Sequence, residues 1–435
     1  VNEGLEGVLY IDGRVKIYYG HQTKMPKRYV SRLRLCMSGS TDYYVNDKTG
    51  QPFFVVNEAI NNGMIAQIKD SILPRLEKEV PDQPTQETLE KNDKLHRFMI
   101  VCDRECYSIE LFHYLWEKRV AICTYRKNVK DIWPEEDFTE YEIVDQETGA
   151  TEKMKLAEKE ITLKDKDDKK VTCREIRKLT SSHHQTAIIT TNFMLTIIEV
   201  GLYMFARWCQ ENFFKYMKEN FDLDGLVSYY KEKISDTKTL VNPKYRQLDS
   251  EVRSLNGKLS TLKAKFGNLT LKEASLDGKK PEKIIAQKAQ VHQDLQILEK
   301  KVAEAKEKRK NTDRKIAFKE LPEDEQFTDA INDRKHFMDN VKMIAYRAET
   351  SMYRLIKGQL NPYHTDEGRA LLKQIYSSDA DIVPDYQNQT LTVKIHNLNN
   401  RRSDKVLQYL CEKLNETETQ FPGTNLRLIY NLVSS

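Results

Sequence analysis

The sequence predicts an α/β fold with a mixed sheet and a β-rich insertion, followed by a coiled-coil helical hairpin and a small α+β tail. Three observations predict it. Apolar runs of strand length, RFMIVC at 97–102, VAICTY at 120–125 and TAIITT at 186–191, alternate with helical patterns in the first half. Between residues 126 and 177 the chain turns charged and irregular, with only short strand signals. From Tyr245 onward, apolar residues recur at steps of three and four. The 435 residues leave room for two or three domains with a sizeable core. Charged residues make up 31% and the net charge is +4, which leaves nucleic-acid binding open because basic residues can cluster. The seven cysteines are odd in number and none forms a CxxC pair, so they read as free thiols in a reducing compartment, not as a disulfide frame or zinc site. No apolar run reaches transmembrane length and no signal peptide is present, so a cytoplasmic protein without a membrane partner is expected. The chain opens on Val and enters its first strand within a few residues, so a segment upstream of it is also expected.

Residues 8–19 (VLYIDGRVKIYY) are rich in β-branched and aromatic side chains and read as a strand. Asp12 lies inside it. An acid in a buried strand is costly unless it is paired or metal-bound, and Gly13 beside it permits close approach to the backbone. Asp-Gly is also a hairpin-turn signal, and that alternative stands. Residues 21–34 carry Lys24, Lys27, Arg28, Arg32 and Arg34, with Tyr29 interleaved and no acid. Such a run suits phosphate contacts, or a solvated loop. Residues 35–45 and 52–57 read as two further strands, 64–80 as an amphipathic helix and 81–93 as a loop. RFMIVC is a buried central strand ending in Asp103-Arg104-Glu105. A carboxylate just past the C-terminal end of a buried strand is a usual place for chemistry, and a cap on the helix at 108–118 is the other reading of Asp103. VAICTY is the next strand. A β-rich insertion follows, with strands at 141–144, 159–163 and 171–176, before TAIITT returns to the sheet.

Residues 202–218 (LYMFARWCQENFFKYMK) form a helix with two faces. Leu202, Phe205, Cys209, Phe213 and Tyr216 share the core side, and Tyr203, Arg207, Glu211 and Lys218 share the other. A carboxylate with Arg four residues before it and Lys seven after it can hold a divalent cation and grip phosphate oxygens. A solvated face with i,i+4 ion pairs is the alternative.

Three strands with an Asp in the first, an Asp ending the fourth, and a Glu on a late helix resemble the RNase H-like fold of DDE transposases. LYIDG, IVCDRE and ARWCQENFFKYMK are similar to the three catalytic blocks of bacterial insertion-sequence transposases that carry a β-rich insertion. That branch has a Tyr-x2-Arg-x3-Glu-x6-Lys signature. Arg207, Glu211 and Lys218 match it, whereas three residues, not two, separate Tyr203 from Arg207. The resemblance covers residues 8–236 and implies that Asp12, Asp103 and Glu211 hold two Mg²⁺ ions about 3.5–4 Å apart, with Mn²⁺ as a substitute. Water or a DNA 3′-hydroxyl would be the nucleophile. Arg207 and Lys218 would contact phosphates at the cut, with Lys215, Arg104 and Tyr203 as further phosphate contacts. The implied partners are DNA, as element ends and as target, and a second copy of the chain. Glu105 reads as structural. Trp133, in the insertion, would either pack there or stack on an unpaired base. His183-His184 reads as a loop, because adjacent strand residues point apart. A transposase-derived scaffold that binds DNA without cutting it, and a nuclease that cuts without joining, remain as alternatives.

In the second half, Tyr245, Leu248, Val252, Leu255, Leu259, Leu262, Phe266 and Leu269 form a heptad seam. A second seam runs through Ile284, Val291, Leu295, Leu298, Val302 and Ala305. Two seams joined by a short loop predict an antiparallel coiled-coil hairpin, with an intermolecular coiled coil as the competing arrangement. A long helix at 327–357 follows, then a short helix at 368–376, a strand containing TLTVKIHNL, a helix at 404–415 and a strand at 426–432. MIAYRAET and TETQFPGTNLRLIY are similar to stretches of one long-tailed group of these transposases, with no role attached. The predicted boundaries are 1–125 and 186–240 for the two parts of the catalytic domain, 126–185 for the insertion, 241–320 for the hairpin and 321–435 for the tail.

Overall fold

The computed structural model describes residues 7–20, 24–30, 33–58, 63–129, 131–144, 151–165, 167–205, 208–225, 239–274, 282–323, 326, 333–360, 365–398 and 400–433. It is a mixed α/β structure built on one large sheet. The sheet strands are β1 (Val8–Ile17), β2 (Lys27–Val30), β3 (Leu35–Asp47), β4 (Pro52–Glu58), β5 (Phe98–Cys102), β6 (Val120–Tyr125), β7 (Thr139–Val144), β8 (Thr151–Lys164), β9 (Lys170–Leu179) and β10 (Gln185–Thr190). Their order is β2-β3-β1-β5-β6-β10-β9-β8-β7, with β4 also on β3. The β1–β5 and β5–β6 pairs are parallel and the others antiparallel. β1 runs unbroken through Asp12-Gly13, which pair with Tyr44 and Tyr43 of β3, so no hairpin turn forms there. The charged stretch after β6 supplies β7–β9, which prolong the main sheet because β9 pairs with β10.

Alternation along β1 and β5 divides the core between the two sheet faces. Leu9, Ile11, Phe98, Ile100 and Cys102 pack with helices on one side. That side carries α1 (Met64–Gln67), a π-helical turn (Ile68–Ile72), α2 (Leu73–Glu79) and α4 (Ile109–Glu117), with α3 (Gln86–Lys91) in the preceding connection. The π turn lies where Pro74 can neither donate to the carbonyl four residues back nor clear it without widening the helix. α3 corrects the expectation of a loop at 81–93: the Thr85 hydroxyl accepts from the Thr88 amide and caps it. Val8, Tyr10, Met99 and Val101 face the other way, against Val200 and Met204 of α5 (Ile197–Phe205). The stretch read as one helix at 202–218 is described as α5 and α6 (Trp208–Phe221), with 206 and 207 outside the described residues.

Beyond α6, β11 (Thr239–Val241) leads into α7 (Pro243–Ala274) and α8 (Glu282–Lys310), and β12 (Lys315–Ala317) returns to pair with β11. The two long helices run antiparallel: Asp249 pairs with Arg309 at 2.6 Å, Lys263 with Glu299 at 2.9 Å, and the Phe266 ring lies 6.0 Å from that of His292. Each seam position of α7 is buried or half-buried. The tail contains α9 (Asp333–Ile356), α10 (Thr365–Tyr376), β13 (Ala380–Asp385), β14 (Thr390–His396), α11 (Arg401–Glu416) and β15 (Arg427–Val433). β13–β15 form a separate sheet covered by α11 through Val406, Leu407, Leu410 and Cys411. The start expected for the long helix, 327–332, lies outside the described residues.

α9 docks on the main sheet through buried charge. Lys16 Nζ lies 2.9 Å from Asp42 Oδ2 and 2.9 Å from Asp339 Oδ1. Lys335 Nζ closes the square at 2.9 Å from Asp42 Oδ2 and 2.9 Å from Asp339 Oδ2. Two lysines and two aspartates cancel, and each ion finds a counter-ion that replaces part of its lost hydration. Burial pushes the Asp42 carboxyl up, but Lys16 and Lys335 outweigh it and hold the group at about 2. Burial lowers the Lys16 ammonium, and Asp42, Tyr44 and Asp339 more than reverse that, so it sits well above the usual lysine range.

Candidate active site

β1 is buried at both ends and reaches solvent only from Asp12 to Val15. That window opens beside the end of β5. Ile11 is the register partner of Cys102, so Asp12 and Asp103 are the residues that follow the last pair of these two parallel strands. Asp103 keeps extended backbone angles, φ −70° and ψ 172°, so the alternation that puts Met99 and Val101 on the α5 face carries it to that face too. Asp12 follows Val8 and Tyr10 onto the same face. Two carboxylates from separate strands are thereby gathered at one exposed spot. Asp12 Oδ1 accepts from the Gly13 amide at 2.9 Å, and Asp103 Oδ1 accepts from the Arg104 amide at 2.6 Å. The Thr124 hydroxyl of β6 donates to the Asp103 carbonyl at 2.8 Å and ties the end of β5 down. Asp103 starts the short helical turn Arg104–Cys106, and α4 is capped instead by Ser108. Gly13 is required by crowding: a Cβ there would lie 2.9 Å from the Tyr43 ring.

α5 and α6 each touch β1 close to Asp12. The Tyr10 hydroxyl donates to the Tyr203 carbonyl of α5 at 2.8 Å. The Arg14 guanidinium lies 5.3 Å from the centre of the Phe214 ring of α6 and pairs with Asp224 at 2.7 Å. Tyr10 and Arg14 stand two residues before and after Asp12 on the same face of β1. The last turn of α5 and the middle of α6 thus each contact a residue two positions from Asp12 on β1. Phe214 also packs edge-on against Tyr44, the register partner of Asp12, at 5.3 Å. The Glu211 side chain lies outside the described residues, as do Arg207 and Arg32.

Lys215 and Lys218 are exposed on α6, and Arg104 is exposed beside Asp103. Tyr203 is half-buried and packs with the α5 core. Lys27 and Arg28 lie on β2, away from the acids: Lys27 pairs with Ser38, six residues before Tyr44 on β3, a separation of about 20 Å along the strand. Glu105 Oε1 lies 3.5 Å from the Met64 amide at the start of α1, in keeping with a structural role. Trp133 is buried, its ring lies against Arg177 at 4.2 Å and Lys159 at 4.6 Å, and its indole N–H donates to Asp131. A ring covered in this way packs within the structure and offers little face to a base. His183 sits in a turn at φ 60°, its Nδ1 2.6 Å from Glu135 Oε1.

The donors fit a hard divalent cation, since both gathered side chains are carboxylates at a solvent-open place. Among the described residues, no cluster of three or more His, Cys, Asp or Glu side chains able to hold a metal forms. Cys102, Cys106, Cys123 and Cys173 are buried free thiols, and burial pushes Cys173 up to about 12. Sequence reading missed the Lys16–Asp42–Lys335–Asp339 square. Lys16 could have been noticed, since it follows Asp12 by four residues and so shares its strand face. Among the described residues, no helix is long and apolar enough to cross a membrane. A family model described as "Transposase protein" matches residues 2–434, and no curated protein matches the chain.

Proposed function

The chain belongs to this family of transposase proteins, and from that premise we propose that it is a DDE transposase that cuts and joins DNA at the ends of its mobile element. The observation that supports this reading is that Asp12 and Asp103 directly follow the register pair Ile11 and Cys102 on adjacent parallel strands, with α5 and α6 touching the neighbouring β1 residues Tyr10 and Arg14. Three antiparallel strands led by the one bearing Asp12, then two strands parallel to it, support an RNase H-like arrangement. The packed seams of α7 and α8 support a coiled-coil hairpin, which would serve pairing with a second copy of the chain or contact with DNA.

Asp12, Asp103 and Glu211 would hold two Mg²⁺ ions, whose charge would polarise the scissile phosphate and stabilise the attacking and leaving oxygens. The chain supplies the rest by position. Its exposed window at Asp12–Val15 lets a DNA backbone reach the carboxylates. Arg207 and Lys218 would grip phosphate oxygens beside the cut, with Lys215 and Arg104 at the rim. The nucleophile is an oxygen of water or of a DNA 3′ end, so the buried thiols are not used.

The test is a Mg²⁺-dependent assay on DNA flanking the gene, scoring cutting and joining for the full chain and for Asp12→Ala, Asp103→Ala and Glu211→Ala. Cutting and joining, both lost in all three variants, is the expected result. Cutting without joining would make the protein a nuclease, and cleavage surviving in Asp103→Ala would remove the site assignment.

A further inference from the structure

Apart from the sheet, α6 touches mainly the tail. Phe213 lies 6.0 Å from Tyr44 on the sheet and 5.1 Å from Tyr346 of α9. One turn along α9 from Tyr346 is Glu349, whose buried carboxylate accepts from the Tyr216 hydroxyl of α6 and from Arg369 Nη1 of α10 at 2.8 Å. Arg369 also lies over the Tyr216 ring at 4.2 Å and donates to the Thr350 hydroxyl at 3.1 Å. Three helices thus meet on one buried anion. Shifting α6 by a turn against α9 would strip that carboxylate of a donor inside the protein, which is strongly unfavourable. α9 itself cannot follow such a shift, because Lys335 and Asp339 fasten it to Lys16 and Asp42 of the sheet.

We propose that Glu349 is a positioning residue: by holding Tyr216 against α9 it fixes the height at which α6 carries Glu211 over the Asp12–Asp103 pair. This rests on the transposase site described above. Tyr216 stands five residues after Glu211 on the same helix, about 7.5 Å along its axis, so the clamp bears on the backbone at position 211. A misplacement of about 1 Å at a catalytic group costs on the order of 100-fold in rate. The reading gives a role to the MIAYRAET stretch, which supplies Tyr346, Glu349 and Thr350, and it makes the tail part of the active unit.

The full chain and its Glu349→Ala, Glu349→Gln, Tyr216→Phe and Asp103→Ala variants would be compared for Mn²⁺ affinity by electron paramagnetic resonance, Mg²⁺-dependent cleavage of DNA flanking the gene, binding of that DNA, and thermal unfolding. Glu349→Ala is expected to weaken Mn²⁺ binding at least tenfold and to slow cleavage by about 100-fold, with DNA binding retained. Glu349→Gln keeps an acceptor for Tyr216 and Arg369 and is expected to recover most of both losses, with Tyr216→Phe in between. Unchanged Mn²⁺ affinity, with cleavage falling only as the folded fraction falls, would overturn the proposal. If Glu349→Ala does not fold, Glu349→Gln and Tyr216→Phe decide on the same readouts. Full Mn²⁺ binding and cleavage in Asp103→Ala would remove the underlying site. Loss of both in Asp103→Ala alone, with the clamp variants unaffected, would remove only the clamp.

Discussion

Asp12 and Asp42 stand on neighbouring strands, two register positions apart and on one face of the same sheet, yet their surroundings are opposite. Asp42 is fully buried, with the ammonium groups of Lys16 and Lys335 each 2.9 Å away. Asp12 is half-exposed and is brought alongside a second carboxylate, Asp103, at an open edge. Where the chain supplies the cations itself, the acid holds the structure together. Where acids stand at a solvent-open edge, as Asp12 and Asp103 do, carboxylate oxygens can serve a hard divalent cation, which is the role proposed for them above.

The sharpest way to break this comparison is to remove one partner from each place. Asp103→Ala should reduce cleavage on the order of 10⁴-fold while changing stability by less than about 0.5 kcal/mol. Lys335→Ala leaves a buried carboxylate short of a cation and should cost about 3–5 kcal/mol in urea unfolding. Equal stability losses in the two variants would erase the distinction. Replacing both Lys335 and Asp339 by apolar residues of similar size, Met and Leu, should recover most of that loss, since the surviving Lys16–Asp42 pair stays balanced.

Acid titration sharpens the contrast further. His96 is buried edge-on against Trp116, and burial, with Arg119 nearby, lowers it to about 4. The unfolded chain binds that proton first, so the contribution is complete above about pH 6.5 and is lost as the pH falls to about 4, by up to roughly 3 kcal/mol. Asp42 acts lower. Its stabilisation is complete above pH 3.8 and disappears as the pH falls through about 2, roughly 2 kcal/mol in all. Unfolding free energies of wild type and His96→Gln between pH 7 and 4 should differ in slope, and a common slope would rule out the histidine. The smallest effects concern the exposed lysines. Lys218→Ala and Lys27→Ala should each reduce the slope of log affinity against log salt by about 1 if they touch phosphates. Only Lys218→Ala should slow cleavage at saturating DNA, because Lys27, on β2, pairs with β3 far from the acids.

Much of the sheet was legible because buried strands announce themselves locally. RFMIVC, VAICTY and TAIITT correspond to β5, β6 and β10, and Asp103 stood out because it ends the first of these runs. The seam on α7 was legible for the same reason, a short repeat repeated often. What escaped notice joins distant segments. Nothing near Asp42 announces a lysine 293 residues later in the chain as its partner, and a Lys or Asp on a helix looks solvated until the opposing surface is known. Glu349 and Arg369 were hidden in the same way. The pairing of β9 with β10, which makes β7–β9 an extension of the main sheet, depends on edge availability, a property of the assembled sheet. The short α3 was missed although Thr85 and the Glu87–Lys91 pair mark it.

The two-stranded ribbon of β11 and β12 has a consequence for engineering. Val241 and Lys315 are register partners, so the chain leaves for the long helical arm and returns from it at neighbouring points. The arm is in effect a detour with a common entrance and exit. A two-residue Asn-Gly turn joining Val241 to Lys315 has the reach to close the ribbon in place of residues 242–314. A chain shortened in this way should retain the sheet, α9 and the Asp12–Asp103 pair, and would divide the work of cutting from whatever the arm contributes.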